Sequence, residues 1–369
     1  MRRFLAIAVA LLAVAVATSP AHAWQEVTDV RFIDRGRPQD LLLALDRQAE
    51  YLSRNPNAVA KVGPLRLTHA KLLEGVRALS KLVIESYEDP SFSDKVRAQF
   101  RVFRTSNPQK SGKAHFTAYY DPIINISLQR TPRFSEPIYR LPPEYVQGPS
   151  GCHRNLQQGR APCHTRYEIE IGHALEGRGL EIAWTDDPVE LHFLHIQGSG
   201  LARLPDGTFK ILNFGGHNGF KFESATRLMM NDGLLSGHYI QAKDYMRTHL
   251  DVARKYLARN PRFIFFKLED GVTRGAAAIP LTSGRSIATD PNQYASGTLG
   301  FIRYEAPLVN QAGDVTSTIS TSRFVAVCDT GSAIVGPGRA DLYVGAGPQA
   351  ERLAGATNTF GELYILVPR

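Results

Sequence analysis

The chain has 369 residues, 43% hydrophobic and 21% charged, the balance of an ordinary globular protein with length enough for two domains. A formal net charge of +8 suits an anionic polymer or surface. The basic residues are scattered and no aromatic-basic recognition module accompanies them, which argues against nucleic acid as the partner.

Arg2 and Arg3 precede an apolar run from Phe4 to Ala17, and Ala21-His22-Ala23 offers a cleavage site. Residues 1–23 therefore read as an export signal, with the mature chain expected to begin at Trp24. The run is too short for a transmembrane span, and no cysteine beside the cleavage site suggests a lipid anchor, so a soluble periplasmic protein is expected. Export also permits disulfides. Cys152 and Cys163 sit in a polar loop and can close a small ring worth roughly 2–3 kcal/mol; zinc is the weaker alternative, because the two Cys-His pairs lack the usual ligand spacing. Cys328 is left over in an apolar run and reads as a small buried hydrophobe.

Apolar residues at helical spacing predict three early helices, around Leu41–Leu52, from the N-cap Thr68 to Val83, and across Val96–Phe103. From Ala114 the pattern changes to short strands broken by Pro and Gly, at Ile138–Leu141, Tyr167–Ile171, Glu181–Trp184, Leu191–Ile196 and Phe209–Phe214, with turn signals such as Pro205-Asp206-Gly207 between them. Helices return at Ser224–Met230 and Gln241–Arg259, and a β-rich section runs from Phe263 to the end. A β-module between two segments that can pack together reads as a domain inserted into another.

Several stretches combine residues suited to chemistry. In HFTAYYDP, from His115 to Pro122, alternation sets Thr117 and Tyr119 on one strand face, which suits either sugar binding or an aromatic core face. HIQGSG, from His195 to Gly200, reads as an apolar strand entering a glycine turn with Gln197 at its mouth; it lacks the Lys of a phosphate loop and the spacing of a nucleophile elbow, so Ser199 is no nucleophile. NFGGHNGF is a second glycine-rich loop, whose His217 reads as a hydrogen-bonding residue. Asp290, before a proline, reads as a turn starter.

The densest stretch is FVAVCDTGSAIVGPGRADLYVGAG, Phe324–Gly347. Asp329 ends one apolar strand and Asp341 opens the next, with a Gly-rich loop between them and Arg339 close by. A single such Asp commonly caps a turn; two, with a cation near, can be split by burial and charge into an acid and an ionised partner. Asp329-Thr330-Gly331-Ser332 is also the short motif of aspartic proteases, but that chemistry needs a second such loop and only one occurs here.

Taken together, FTAYYDP, the block from Trp184 to Gly200, LPDG, GGHNG, NPRFIFF, IPLTSGRSIATDP, CDTGSAIVGPGRADLYVGAG and GELYILVP resemble the membrane-bound lytic murein transglycosylase A (MltA) family with its C-terminal three-aspartate (3D) region, over nearly all of the mature chain. The resemblance implies a mainly β protein with helices (α+β): a double-psi β-barrel from residues 24–121 and 238–369, a barrel-like β-domain inserted at 122–237, and a glycan groove between them. It implies cleavage of the β-1,4 bond between N-acetylmuramic acid and N-acetylglucosamine with formation of a 1,6-anhydro end. Asp341 would be the acid and base, Asp329 the supporting carboxylate, and Thr117, Tyr119, Gln197, Ser199 and Gly200 would contact the glycan. Peptidoglycan strands, alongside other cell-wall enzymes, are the expected partners of a monomer without metal or cofactor. Two departures are visible: DTGS stands where the family has DTGG, and the lipobox cysteine implied by the family name is absent. An aspartic protease using Asp329 and a non-catalytic glycan-binding module are the alternatives.

Overall fold

The computed structural model describes residues 23–107, 112–148, 151–157, 159–235 and 239–369; the expected export signal lies outside them apart from Ala23. Six strands close into a ring in the spatial order Asn358–Pro368, Leu299–Val309, Val315–Asp329, Ser286–Thr289, Arg339–Ala346 and Ala114–Asp121, the last pairing back onto Asn358–Gly361. Closure removes the free edges of an open sheet. Two strands, Phe100–Thr105 and Trp24–Val27, extend the sheet from Asn358–Pro368.

The early helices form as their periodicity predicts. Thr68 caps His69–Ser86 by accepting the Lys71 N–H, and Pro38 starts Pro38–Ser53 at a position where a missing N–H costs nothing. Leu45, Leu52, Val76 and Leu79 are fully buried, in one core with Phe301, Phe324 and Ile365 of the barrel. Each such side chain contributes about 1.5–3 kcal/mol. The third helix is shorter than expected, Phe92–Gln99, because Phe100 and Phe103 turn into the sheet.

At Pro122 the chain leaves the barrel and builds a second sheet, ordered Ile264–Glu269, Phe209–His217, Gly200–Arg203, Ile123–Ser127, Glu181–Thr185, Glu136–Tyr139. The two outer strands curl towards each other, with no ladder between them among the described residues. The turn at Pro205-Asp206-Gly207 is as expected: Gly207 has φ +83°, and Asp206 accepts the Thr208 N–H. The expected boundary at 237 precedes Ile264–Glu269, which pairs with Phe209–His217, and the helices Tyr239–Thr248 and Leu250–Arg259, whose Met246 and Leu257 pack with Val189 and Phe193 of this unit.

Two expected strands are helices. Tyr167–Ile171 falls on Arg166–Glu170, nucleated by a capping box between Thr165 and Glu168. Leu191–Ile196 falls on Pro188–Gln197, which has Asp187 as N-cap, proline in the first turn and left-handed Gly198 as its stop. Val189 through His195 are all buried there, so no polar face remained to betray the helical period. The single helix expected at Gln241–Arg259 breaks at His249, and the C-terminal β section contains one helix, Gly347–Ala356.

At the seam between the two units, the Lys243 ammonium is buried between Glu190 of Pro188–Gln197, at 2.8 Å, and Glu351 of Gly347–Ala356, at 2.5 Å. Removing one partner from such a cluster would strand a buried charge, so it holds the units in one mutual position.

Candidate active site

Strand register assembles the site. Thr117 lies opposite Asp341 in a parallel pair, Asp341 opposite Ala288, and Ala288 opposite Asp329. The two carboxylates thus sit in one row, separated by a single alanine strand, with Cα atoms about 10 Å apart by ordinary strand spacing. Ala288 puts only a methyl group between them, and the Asp329 pKa, raised chiefly by burial, is raised further by the Asp341 charge.

Asp341 is half-buried, and burial pushes its carboxyl up from the usual carboxylate range. Opposing this, Thr117 Oγ1 donates to Asp341 Oδ1 at 2.5 Å, and the nearby charges of Arg339 and His115 favour the ionised form. Arg339 Nη2 in turn donates to Thr117 Oγ1 at 2.8 Å. A guanidinium can only donate, so the Thr117 hydroxyl hydrogen is committed to Asp341 Oδ1. Oδ2 is then the oxygen left to carry a proton.

Asp329 is also raised by burial, but it is held by more donors: the Ala276 and Thr330 N–H groups on Oδ1 and the Tyr119 hydroxyl on Oδ2, each at 2.8 Å. The segment returning from the second sheet supplies Ala276. Gly275 lets it approach, since a Cβ there would overlap the Cys328 carbonyl oxygen and lie 3.0 Å from Asp329 Cβ.

Thr117, Tyr119, Asp329 and Asp341 are therefore brought together; Gln197, Ser199 and Gly200 stand at the seam. Gln197 Oε1 accepts the Tyr120 N–H at 3.3 Å. The Ser199 hydroxyl is buried and donates to Asp121 Oδ1 at 2.7 Å. At Gly200 a Cβ would lie 2.5 Å from Leu194 Cδ1 and 2.8 Å from the Pro122 oxygen, so glycine permits the close crossing of the two chains.

Asp121, the last residue of the strand Ala114–Asp121, was not singled out in the sequence. It is 1% exposed, takes a second hydrogen bond from Tyr343 at 2.6 Å, and has its pKa raised by burial. Asp290 is scaffolding, as expected: it accepts the Asn292 and Gly336 N–H groups, both at 2.8 Å, and so ties down the loop leading to Arg339. Cys328 is buried and its thiol is pushed up to about 12, while Cys152 and Cys163 form a disulfide. A cavity of 540 Å³ lies within the second unit, lined by Tyr139, Glu181, Trp184 and Arg254, away from both aspartates.

Comparison with known proteins adds an independent line. An MltA specific insert domain matches residues 115–267 and a 3D domain matches residues 285–367. The membrane-bound lytic murein transglycosylase A of Vibrio cholerae is 29% identical over 342 residues, 90% of this chain and 83% of that protein. That of Escherichia coli K12 is 31% identical over 261 residues, 69% and 66% of the two chains. The crystal structure of a membrane-bound lytic murein transglycosylase from Agrobacterium tumefaciens has a TM-score of 0.77 at 29% identity, covering 94% of this chain and 98% of that one. For E. coli MltA with bound chitohexaose the TM-score is 0.76 at 22% identity over 94% of each chain, a likeness of fold alone. With the insert and 3D domains in this order and relatives matched over most of both chains, the chain belongs to the lytic murein transglycosylase A family.

Proposed function

We propose that this protein is a peptidoglycan lytic transglycosylase, with Asp341 as its general acid and then its general base. The observation that carries the reading is the row Thr117–Asp341–Ala288–Asp329, in which a half-buried carboxyl of raised pKa has one oxygen engaged and the other without a hydrogen bond among the described residues. Protonated Asp341 gives its Oδ2 hydrogen to the oxygen of the β-1,4 bond between N-acetylmuramic acid and N-acetylglucosamine. The C1–O4 bond breaks, the N-acetylglucosamine hydroxyl departs, and the muramic acid C1 becomes oxocarbenium-like. The Asp341 carboxylate then takes the proton of the same sugar's C6 hydroxyl as O6 bonds to C1, closing the 1,6-anhydro ring and restoring the acid. No water is consumed, so the spacing around a water that inverting hydrolases need does not apply.

In this reading the Asp329 carboxylate, fixed by three donors, stabilises positive charge on the sugar. Thr117 and Arg339 set which Asp341 oxygen reacts, Tyr119 orients Asp329, and Gln197, Ser199 and Gly200 shape the seam on which the glycan lies. The parallel pairings of Ala114–Asp121 with Arg339–Ala346 and of Ser286–Thr289 with Val315–Asp329 support a double-psi barrel. The seam with the second unit, which we divide at residues 122 and 269, supports a glycan groove. Periplasmic action fits the substrate, and no helix among the described residues is long and apolar enough to cross a membrane. The protease reading fares worse: no hydrogen bond joins Asp329 to Asp341 among the described residues, whereas a protease dyad shares a proton.

Digestion of purified sacculi with the wild type and with Asp341→Asn, followed by mass spectrometry, tests the proposal. Muropeptides with 1,6-anhydro ends from the wild type alone are expected. Cut stem peptides on intact glycans would move the assignment to a protease, and sacculus binding without turnover to a binding module.

A further inference from the structure

On the barrel's outer face, the row beside Thr117 and Asp341 holds an aromatic pair. His115 lies opposite both Phe360 and Arg339, while Thr117 lies opposite Asn358 and Asp341. The His115 and Phe360 rings stack, with centroids 4.9 Å apart and planes 22° from parallel. Phe360 is nevertheless 43% exposed. A lone exposed phenylalanine needs no explanation; one locked by a stack beside a catalytic carboxylate calls for one.

Asn358 supplies the second observation. Its Oδ1 lies 2.7 Å from His115 Nε2, and because an amide oxygen only accepts, the imidazole donates there. This spends the oxygen and fixes the amide's orientation. The Asn358 Nδ2 hydrogens have no partner among the described residues, and the side chain is exposed. A flat apolar ring, held rigid, thus stands beside two oriented amide donors, about 12 Å from Asp341 by strand spacing and rise. The C–H face of a pyranose suits the ring, and a hydroxyl or acetamido oxygen suits the amide. Arg339, one strand further on, already has acceptors in Thr117 and the Ala340 carbonyl.

We infer that Phe360 and Asn358 form a sugar-binding subsite, which grips a pyranose of the glycan strand beyond the bond cut at Asp341. This rests on the reading of the chain as a glycan-cleaving enzyme. The subsite contributes to binding and not to the chemical step, because neither side chain reaches the reacting atoms.

The test uses a chitin hexamer as probe, with affinity measured on Asp341→Asn so that the probe survives. Adding Phe360→Ala should weaken hexamer binding about tenfold. In the active enzyme Phe360→Ala should raise KM by a similar factor and leave kcat within about twofold. Phe360→Trp should retain binding, with an indole fluorescence change on adding the hexamer. Unchanged affinity and KM in Phe360→Ala, or a silent tryptophan in a protein that binds the hexamer, would overturn the subsite. Cleavage by Asp341→Asn itself would instead overturn the assignment of the acid, so the two failures are told apart.

Discussion

Replacing Thr117 by valine removes one hydroxyl and keeps the side chain's shape. Asp341 Oδ1 then loses the hydrogen bond that favours its ionised form, and Arg339 loses an acceptor. A hydrogen bond to a charged group is worth about 1.5–3 kcal/mol. At about 1.4 kcal/mol per unit, the Asp341 pKa should rise by about one to two units. In the proposed mechanism Asp341 must be protonated to begin the reaction, so the alkaline limb of kcat/KM, measured as release of 1,6-anhydro products across pH, should move up by that amount. The rate at the optimum should fall, because the proton is no longer confined to Oδ2 and the base form is less stabilised. Thr117→Ser keeps the donor and should preserve the parent profile. An alkaline limb that stays put or moves down in Thr117→Val, with Thr117→Ser normal, would refute the coupling.

Asp341→Asn should stabilise the fold in a pH-dependent way. The folded carboxyl titrates above its ordinary value of 3.8, so its contribution is complete below that pH and is lost as pH rises through the folded pKa. The variant escapes this loss, and its Tm should exceed the wild type's at pH 7 and converge with it near pH 3.5. Tyr119→Phe removes the hydrogen bond to Asp329 Oδ2 and should lower kcat/KM on sacculi about tenfold with little change in Tm. Gly275→Ala should cost both stability and activity, since its methyl group displaces the loop that donates Ala276 N–H to Asp329; a Tm and rate equal to the parent would contradict that close contact. Removing the Cys152–Cys163 disulfide by a double alanine substitution should lower unfolding free energy in urea by about 2–3 kcal/mol and leave turnover unchanged.

Local chemistry wrote much of this fold into the sequence. Thr68, the Leu72–Val83 stripe and the Pro205-Asp206-Gly207 turn each carry their own signal. The helix Pro188–Gln197 did not, because burial on every side erased its period, and only Asp187-Pro188 and Gly198 marked its ends. At the site, Asp329 and Asp341 stood out through their glycine-rich surroundings, and Arg339 through adjacency. What stayed hidden depends on register: Ala288 between the carboxylates, the Ala276 amide arriving from the far side of the inserted unit, and Asn358 brought beside His115 across 243 positions of chain. Ser199 was singled out only through the family resemblance, and its hydrogen bond to Asp121, which ties the glycine turn to the end of the barrel strand, carries no signal in the sequence.

The central claim is that the muramic acid C6 hydroxyl, and not water, attacks C1. Digesting sacculi in water enriched in oxygen-18 and weighing the new muramic acid ends tests this most directly. The account predicts anhydro ends with no heavy oxygen, formed by the wild type and absent with Asp341→Asn. Reducing ends carrying one oxygen-18 would contradict it and make the protein a hydrolase.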